Sequence, residues 1–101
     1  MILYIDTTDY NHATFAIGNG RLRKKTYKID PRKSYKTLEK LAEFLRPIRN
    51  PESAINKIIV NKGPGSFTGV RVGVTHAMAL SYAWNVPVKA LSKDKFNLPS
   101  A

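Results

Sequence analysis

The chain has 101 residues, no cysteine and a formal net charge of +10 at pH 7. Its length is that of one domain, and its 43% hydrophobic and 24% charged residues argue against a disordered chain. The lack of cysteine excludes disulfides and thiolate metal sites. Since no apolar run is long enough for a signal peptide or a membrane span, we expect a soluble, cytoplasmic domain.

The first part of the chain reads as three strands. Met1–Thr8 is almost continuously apolar at its start, which predicts a central strand that is buried on both faces. In Asn11–Ile17 the large apolar residues Phe15 and Ile17 alternate with smaller ones, which predicts a second strand. Gly18–Gly20 then predicts a hairpin turn, because glycine and asparagine tolerate positive φ. Arg21–Ile29 would be the return strand, and its polar character places it at an edge or half-exposed.

The rest of the chain alternates helices and short strands. Ser34 is a candidate cap for an amphipathic helix that runs to about Arg46. The later predicted elements are a strand at Lys57–Asn61, a turn at Gly63–Phe67, a helix at Thr68–Trp84 and a strand at Val86–Leu91. The order βββαβαβ predicts a single α/β domain over residues 1–101 with a mixed sheet and right-handed parallel crossovers. Ser92–Ala101 carries no clear pattern.

Polar and glycine residues lie where two of these strands end. Asp6 and Thr7 end the first strand, and Gly63–Gly69 (GPGSFTG) joins the later strand to its helix. Backbone N–H groups at a helix start can hold an anion, although the lysine of a Walker P-loop is missing. The candidate anion or nucleotide residues are Asp6, Thr7, Gly63, Gly65, Ser66 and Thr68. The alternative, a tight turn capped by Ser66 or Thr68, is favoured on physical grounds.

The second helix is apolar or small on nearly every side. Gly69, Gly73 and Ala77 are four residues apart, which indicates that a sheet or another helix approaches closely. Because a domain of this size has difficulty burying such a helix completely, we predict a protein interface that includes both helices. Its candidate residues are Tyr35, Leu38, Leu41, Leu45, Gly69, Val70, Gly73, Val74, Ala77 and Met78.

Much of the positive charge is local, and Asp30 is the one acid between Arg21 and Lys36. Such a segment attracts polyanions, but basic side chains also protect an edge strand from aggregation. Both interpretations stay open. The candidate RNA-facing residues are Arg21, Arg23, Lys24, Lys25, Lys28, Arg32 and Lys33.

No catalytic or metal-binding residue is predicted. His12 and His76 are far apart and lack the spacing of metal ligands. Ser66 does not lie in a G-x-S-x-G elbow, and acids are few. We therefore favour a binding role over an enzymatic one.

Two segments resemble a known family. ILYIDTT at the start and GPGSFTGVRVGVTHAMALSYAWNVPVKALS from Gly63 onward are similar to the bacterial tRNA threonylcarbamoyladenosine biosynthesis protein family TsaB (YeaZ-like). The likeness runs in order through nearly the whole chain. It implies the actin/Hsp70/sugar-kinase (RNase H-like) fold. The chain would hold the N-terminal domain of that family and lack the second domain.

The resemblance also implies a function. Members of the family are non-catalytic partners in making N6-threonylcarbamoyladenosine (t6A) in tRNA. Their implied partners are a TsaD-like catalytic paralogue and a TsaE-like ATPase, with a homodimer when the protein is alone, indirect or weak contact with tRNA, and no membrane. No cofactor of its own is implied, and ATP with Mg²⁺ would bind only within a complex. Helices corresponding to Tyr35–Leu45 and Gly69–Ala83 would form the contacts.

The chain departs from the family where Lys33-Ser34 replaces a His-Ser pair. Two alternative functions are kept: a half-site nucleotide-binding ATPase or phosphotransferase that uses Asp6 and the glycine loop, and a small basic RNA-binding module.

Overall fold

A computed structural model describes residues 1–19 and 21–98. Five strands form one mixed sheet in the order β3-β2-β1-β4-β5, and three α-helices connect the later strands. The strands are β1 (Ile2–Asp6), β2 (His12–Asn19), β3 (Arg21–Lys28), β4 (Lys57–Asn61) and β5 (Val88–Leu91). The helices are α1 (Lys36–Leu45), α2 (Pro51–Ala54) and α3 (Phe67–Trp84), and a 3₁₀ turn at Pro31–Lys33 precedes α1.

β1 is the central strand, as its apolar run predicts. Leu3 pairs with Ile17 of β2 in antiparallel register and with Ile58 of β4 in parallel register. β4 continues in parallel to β5. The mixed sheet and the parallel crossovers are therefore confirmed.

β2 and β3 form the predicted hairpin, in which Asn19 pairs with Arg21. Gly20, the last residue of the predicted turn, lies outside the described residues. Gly18 has a φ of 153°, and a Cβ there would collide with the carbonyl of Arg21. Glycine is therefore required just before the turn, and β3 lies at the edge of the sheet.

One face of the sheet packs against α1 and α3. Leu3, Phe15 and Ile58 from the strands and Phe44 from α1 are at most 1% exposed and belong to one apolar cluster. The ring centroids of Phe15 and Phe44 are 5.7 Å apart. Burial of each such side chain contributes about 1.5–3 kcal/mol, so this cluster is the main source of stability.

The opposite face of the sheet is covered by the segment after β5. Phe96 packs against Tyr4, with ring centroids 6.4 Å apart and planes at 81°. Ala16 and Leu22 are buried in the same smaller cluster. The sequence shows no regular pattern here because one aromatic side chain in an irregular segment does most of the covering.

The entry to α1 differs from the prediction. Ser34 does not cap the helix, which begins at Lys36 after Tyr35, without a side-chain cap. Asp30 instead caps the 3₁₀ turn by accepting a hydrogen bond of 2.9 Å from the Arg32 N–H. The reason is that Pro31 fixes φ immediately after an acceptor, so the chain begins to turn earlier.

The short helix α2 was not predicted. Asn50 precedes it in the left-handed conformation with a φ of 52°, and Pro51 takes its first position. The turn directs Ile55 into the core, where it is 1% exposed. Among the described residues, no helix is long and apolar enough to cross a membrane.

Candidate functional site

α3 is held against the sheet by its small residues. A Cβ at Gly69 would collide with the carbonyl of Thr7, and one at Gly73 would collide with the Thr7 hydroxyl. Thr7 donates that hydroxyl to the carbonyl of Gly69, and Ala77 is fully buried one turn further on. The close approach that the spacing of four predicts is real, and the approaching residue is Thr7, which directly follows β1 of the same chain.

The start of α3 is defined by Ser66, whose hydroxyl accepts a hydrogen bond of 3.3 Å from the Gly69 N–H. This confirms the capped turn. Gly65 packs on Thr8 too closely for any side chain, and Gly63 has a φ of 92°. Both glycines therefore serve the turn.

The outer face of α3 is apolar and exposed. Phe67 is 74% exposed, Met78 59% and Tyr82 91%, and they follow one another along one side of the helix. Arg71 is the single charged residue of α3, and its guanidinium lies 5.3 Å from the centroid of the Phe67 ring. A helix face of this length with one charge is unusual for a surface that meets only water.

A groove of about 380 Å³ runs between α1 and α3. Its walls are almost entirely apolar, and Leu38 on its rim is 49% exposed. The remaining lining includes Leu41, Ala42, Leu45, Ile48, Leu80 and Trp84. The groove lies on the side of α3 that faces α1, where Leu80 and Trp84 line it, whereas Phe67, Met78 and Tyr82 lie on the exposed side of the helix. We call these two apolar patches together the helix surface.

The predicted interface residues fall into two groups. Leu41, Leu45, Gly73 and Ala77 are buried in the chain's own core, so they support the helices from beneath. Tyr35, Leu38 and Met78 are exposed, whereas Gly69, Val70 and Val74 are half-buried. Phe67 and Tyr82 were missing from the predicted set, although both lie on the same side of α3 as Met78.

The residues predicted to hold an anion are divided between the two faces of the sheet. Thr7, Ser66 and Thr68 line a polar cavity of about 190 Å³ on the helix side. Asp6 lines a different cavity with Lys93, and its Oδ1 accepts hydrogen bonds from the N–H and hydroxyl of Thr8 at 3.0 and 2.7 Å. The structure therefore does not assemble the six predicted residues into one site.

The basic residues line the edge strand and the turn that follows it. Arg21, Lys24, Lys25, Lys28 and Lys33 are exposed. Arg23 is committed to the fold, since its guanidinium lies 4.0 Å from the Phe44 ring centroid and donates to the Phe44 carbonyl. Arg32 pairs with Asp30 at 3.3 Å.

Both histidines have local partners. The His12 Nδ1 lies 3.2 Å from Asp9, and the His76 Nδ1 donates to the carbonyl of Val72 at 2.6 Å. Within residues 1–19 and 21–98, no three side chains of the metal-ligating kinds lie together.

The solved structures that resemble this chain share its fold. YeaZ from Pseudomonas aeruginosa superimposes with a TM-score of 0.77 at 28% identity, over 90% of this chain and 43% of that one. A protein described as similar to peptidase YeaZ from P. aeruginosa superimposes with a TM-score of 0.76 at 30% identity, over 90% of this chain and 42% of that one. RuvC from T. thermophilus superimposes with a TM-score of 0.62 over 92% of this chain and 64% of that one. Because the two are only 15% identical, this likeness shows a shared fold alone.

Sequence comparison agrees. The chain is 33% identical over 97 residues to the tRNA threonylcarbamoyladenosine biosynthesis protein TsaB of Bacillus subtilis, covering 90% of this chain and 40% of that protein. It thus spans less than half the length of that relative. Residues 18–94 match the family model described as TsaD: tRNA N6-adenosine threonylcarbamoyltransferase. The predicted resemblance and fold class are confirmed, and the chain belongs to the TsaD family as a TsaB/YeaZ-like member.

Proposed function

We propose that the chain is a non-catalytic subunit in the biosynthesis of t6A in tRNA, and that it acts by binding a TsaD-like paralogue through the helix surface. Its B. subtilis relative is named for that pathway, and the matching family model is named for the transferase. In this proposal a second copy of the chain takes the same surface when no paralogue is present. A TsaE-like ATPase, ATP and Mg²⁺ belong to the assembled complex.

The observation that carries the proposal is the helix surface itself. It consists of the exposed Phe67, Met78 and Tyr82 on one side of α3 and of the groove with Leu38 at its rim on the side that faces α1. Large aromatic and methionine side chains are the residue types that dominate protein interfaces. A partner helix laid along the groove would cover apolar area on both elements at once.

The half-site phosphotransferase alternative has less support. It requires Asp6 and the glycine loop to act on one ligand, and these residues line separate cavities or serve the turn.

Sedimentation equilibrium tests the proposal. The chain alone should approach the mass of a dimer as its concentration rises, and equimolar TsaD-like protein should replace the dimer with a one-to-one complex. Because both assemblies use one surface, Met78→Glu should weaken both. A chain that stays monomeric and forms no complex with the purified paralogue would contradict the proposal.

A second candidate role is RNA binding by the basic strand β3, and one observation favours it. β3 is an edge strand, and its exposed lysines project on both sides of that edge, Lys24 and Lys28 toward one face and Lys25 toward the other. The net charge of +10 adds long-range attraction to any polyanion. This role is compatible with the first, because β3 and the outer face of α3 are different surfaces.

A further inference from the structure

The basic side chains of β3 have different surroundings on the two faces of the sheet. On the face that packs against the helices, Arg23 is held by the ring and the carbonyl of Phe44. The ammonium of Lys25 lies 5.1 Å from the centroid of the Tyr27 ring, and that of Lys40 lies 5.9 Å from the same ring. The cations on this face are therefore partly engaged within the chain.

On the opposite face, β3 presents Lys24, Thr26 and Lys28, which are all exposed. Strand residues two positions apart share a face, and Leu22, the next residue on this one, is buried in the cluster around Phe96. In the part of the chain that the structure describes, no salt bridge involves either lysine, and neither ammonium lies over an aromatic ring. Both charges are therefore available to an anion from outside the chain.

A pair of hydroxyls lies between the two lysines. Thr26 pairs with Thr14 of β2 across the strands, and the Oγ1 atoms of the two residues are 2.9 Å apart. Since one hydroxyl donates to the other, the pair keeps one proton to donate and lone pairs to accept hydrogen bonds from a ligand. At about 3.3 Å per residue, Lys24 and Lys28 are roughly 13 Å apart along the strand. The face thus carries a straight row of cation, hydroxyl pair and cation.

This row has no aromatic ring on which an unpaired base could stack. The exposed aromatic residues of the described chain lie in the β1–β2 turn, before α1 and on α3; they are Tyr10, Tyr35, Phe67 and Tyr82. Tyr27 of β3 is 8% exposed and belongs to the core. Proteins that bind single-stranded RNA stack its bases on such rings, whereas a double helix is bound through its phosphates and 2′-hydroxyls. The row therefore suits a double helix.

The inner border of this face limits where an anion can lie. An open cavity of about 490 Å³ next to Thr14 and Thr26 is lined by Lys93 but also by the carboxylates of Asp6 and Asp9. Because those carboxylates repel phosphates, a polyanion is favoured over β3 and disfavoured over the β1–β2 turn.

We propose, on the basis of the RNA-binding role proposed above for β3, that this face of the strand binds a double-helical stem of an RNA. Lys24 and Lys28 contact phosphates, and the hydroxyl pair between them contacts a phosphate oxygen or a 2′-hydroxyl. A double helix carries closely spaced phosphates along its axis. A strand of eight residues, about 26 Å long, can therefore meet several of them at once.

The experiment measures RNA binding by the chain through fluorescence anisotropy across a salt series. The probes are an RNA hairpin with a stem of about 16 base pairs and an oligouridine with the same number of phosphates. The stem should bind at least about tenfold more tightly, because the strand offers the oligouridine no ring for stacking.

Two double variants test the face. Lys24→Gln with Lys28→Gln should make the plot of log stem affinity against log salt less steep by about 2, since two phosphate contacts are lost. The matched control is Arg21→Gln with Lys25→Gln, which removes the same charge from exposed positions of β3 on the side of the helices. Its slope should change by less than about 1.

Thr26→Val tests the hydroxyl pair without a change of charge, and valine suits a strand as well as threonine does. It should weaken stem binding by about fivefold, the effect of losing one hydrogen bond, and unchanged binding would contradict the contact assigned to the pair. Polyglutamate with the same number of charges should displace the stem poorly. Equally effective displacement would mean that an acidic peptide, not an RNA stem, is the partner of this edge.

Equal affinity for the stem and the oligouridine would overturn the assignment to a double helix. Equal changes of slope in the two double variants would overturn the assignment to this face. In both cases the RNA-binding role of β3 would stand, whereas absence of binding to either RNA would overturn that role as well. No partner protein is present in these measurements, so they are independent of the proposed role of the helix surface.

Discussion

Thr7 lies where β1 meets α3, and its side chain determines how closely the helix can approach. Its hydroxyl bonds to the Gly69 carbonyl and lies against the Cα of Gly73. A larger residue at position 73 therefore changes folding, because Gly73 faces its own sheet. Tests of partner binding belong to the outer side of α3.

We predict that Gly73→Ala lowers the free energy of unfolding by about 2 kcal/mol. Alanine gains about 1 kcal/mol of helix propensity, but its Cβ collides with the Thr7 hydroxyl, and overpacking of this kind costs about 1–3 kcal/mol or more. Urea denaturation of the single and double variants measures the effect. Adding Thr7→Ala should recover about 1 kcal/mol relative to the sum of the single changes. Strict additivity would show that the hydroxyl is not the obstacle.

Asp30 gives a prediction for acid stability. The N–H of Arg32, and after it the guanidinium of Arg32, lower the pKa of the Asp30 carboxyl. Since the folded value is the lower one, the stabilisation is complete above the unfolded value of about 3.9 and is lost as the pH falls through the folded value.

The melting temperature of Asp30→Asn should therefore lie below that of the parent at pH 7, by about one or two degrees for so exposed a pair. The difference should shrink as the pH falls through the folded pKa of the Asp30 carboxyl, because the parent carboxyl is then protonated as well. A difference that stays constant as the pH is lowered would show that the charge of Asp30 is not its source.

At the scale of elements, the segment after β5 closes the second face of the sheet through one side chain. Phe96 is 9% exposed and packs on Tyr4. We predict that Phe96→Ala lowers the free energy of unfolding by about 3 kcal/mol. Phe67→Ala is the matched control, since Phe67 is exposed and should contribute less than about 1 kcal/mol. Equal losses in chemical denaturation would mean that the segment does not stabilise the sheet.

The strand β3 gives the prediction for RNA. The variant with Lys24, Lys25 and Lys28 changed to Gln should bind tRNA more weakly, and its plot of log affinity against log salt should be less steep by about 2. Lys62, Lys89 and Lys95 are also exposed and provide a control with the same net charge. Filter binding across a salt series measures the tRNA affinity and its salt dependence for both triple variants. Equal effects of the two would assign binding to net charge alone.

The sequence predicts where the strands and helices lie better than it predicts which residues pack against them. The apolar run at Ile2–Ile5 correctly indicates a central strand, and the spacing of Gly69, Gly73 and Ala77 correctly indicates close packing. Local pattern cannot say what packs there, because the contact with Thr7 joins residues about sixty positions apart. For the same reason the polar cavity was predicted only in part: Thr7, Ser66 and Thr68 were named, whereas Thr37 lines it from a segment that only the fold brings close.

For the molecule as a whole, charge and apolar surface are separated. The outer face of α3 holds large apolar side chains and one arginine, whereas the basic residues concentrate on β3 and the turn after it. In the two roles that we propose, the protein partner takes one of these surfaces and the polyanion the other. Single substitutions should then weaken one kind of binding and leave the other intact.

The most direct measurement is the dissociation constant between this chain and a purified TsaD-like protein, obtained by isothermal titration calorimetry. Tyr82→Glu places a charge on the exposed face of α3 and should weaken binding by at least about tenfold. Tyr10→Glu changes another exposed tyrosine, 70% exposed against 91% for Tyr82, that lies outside α1 and α3, and should leave the constant within about twofold of the parent. Absence of binding by the parent chain, or a Tyr82→Glu variant that binds as tightly as the parent, would contradict the proposed role of the helices.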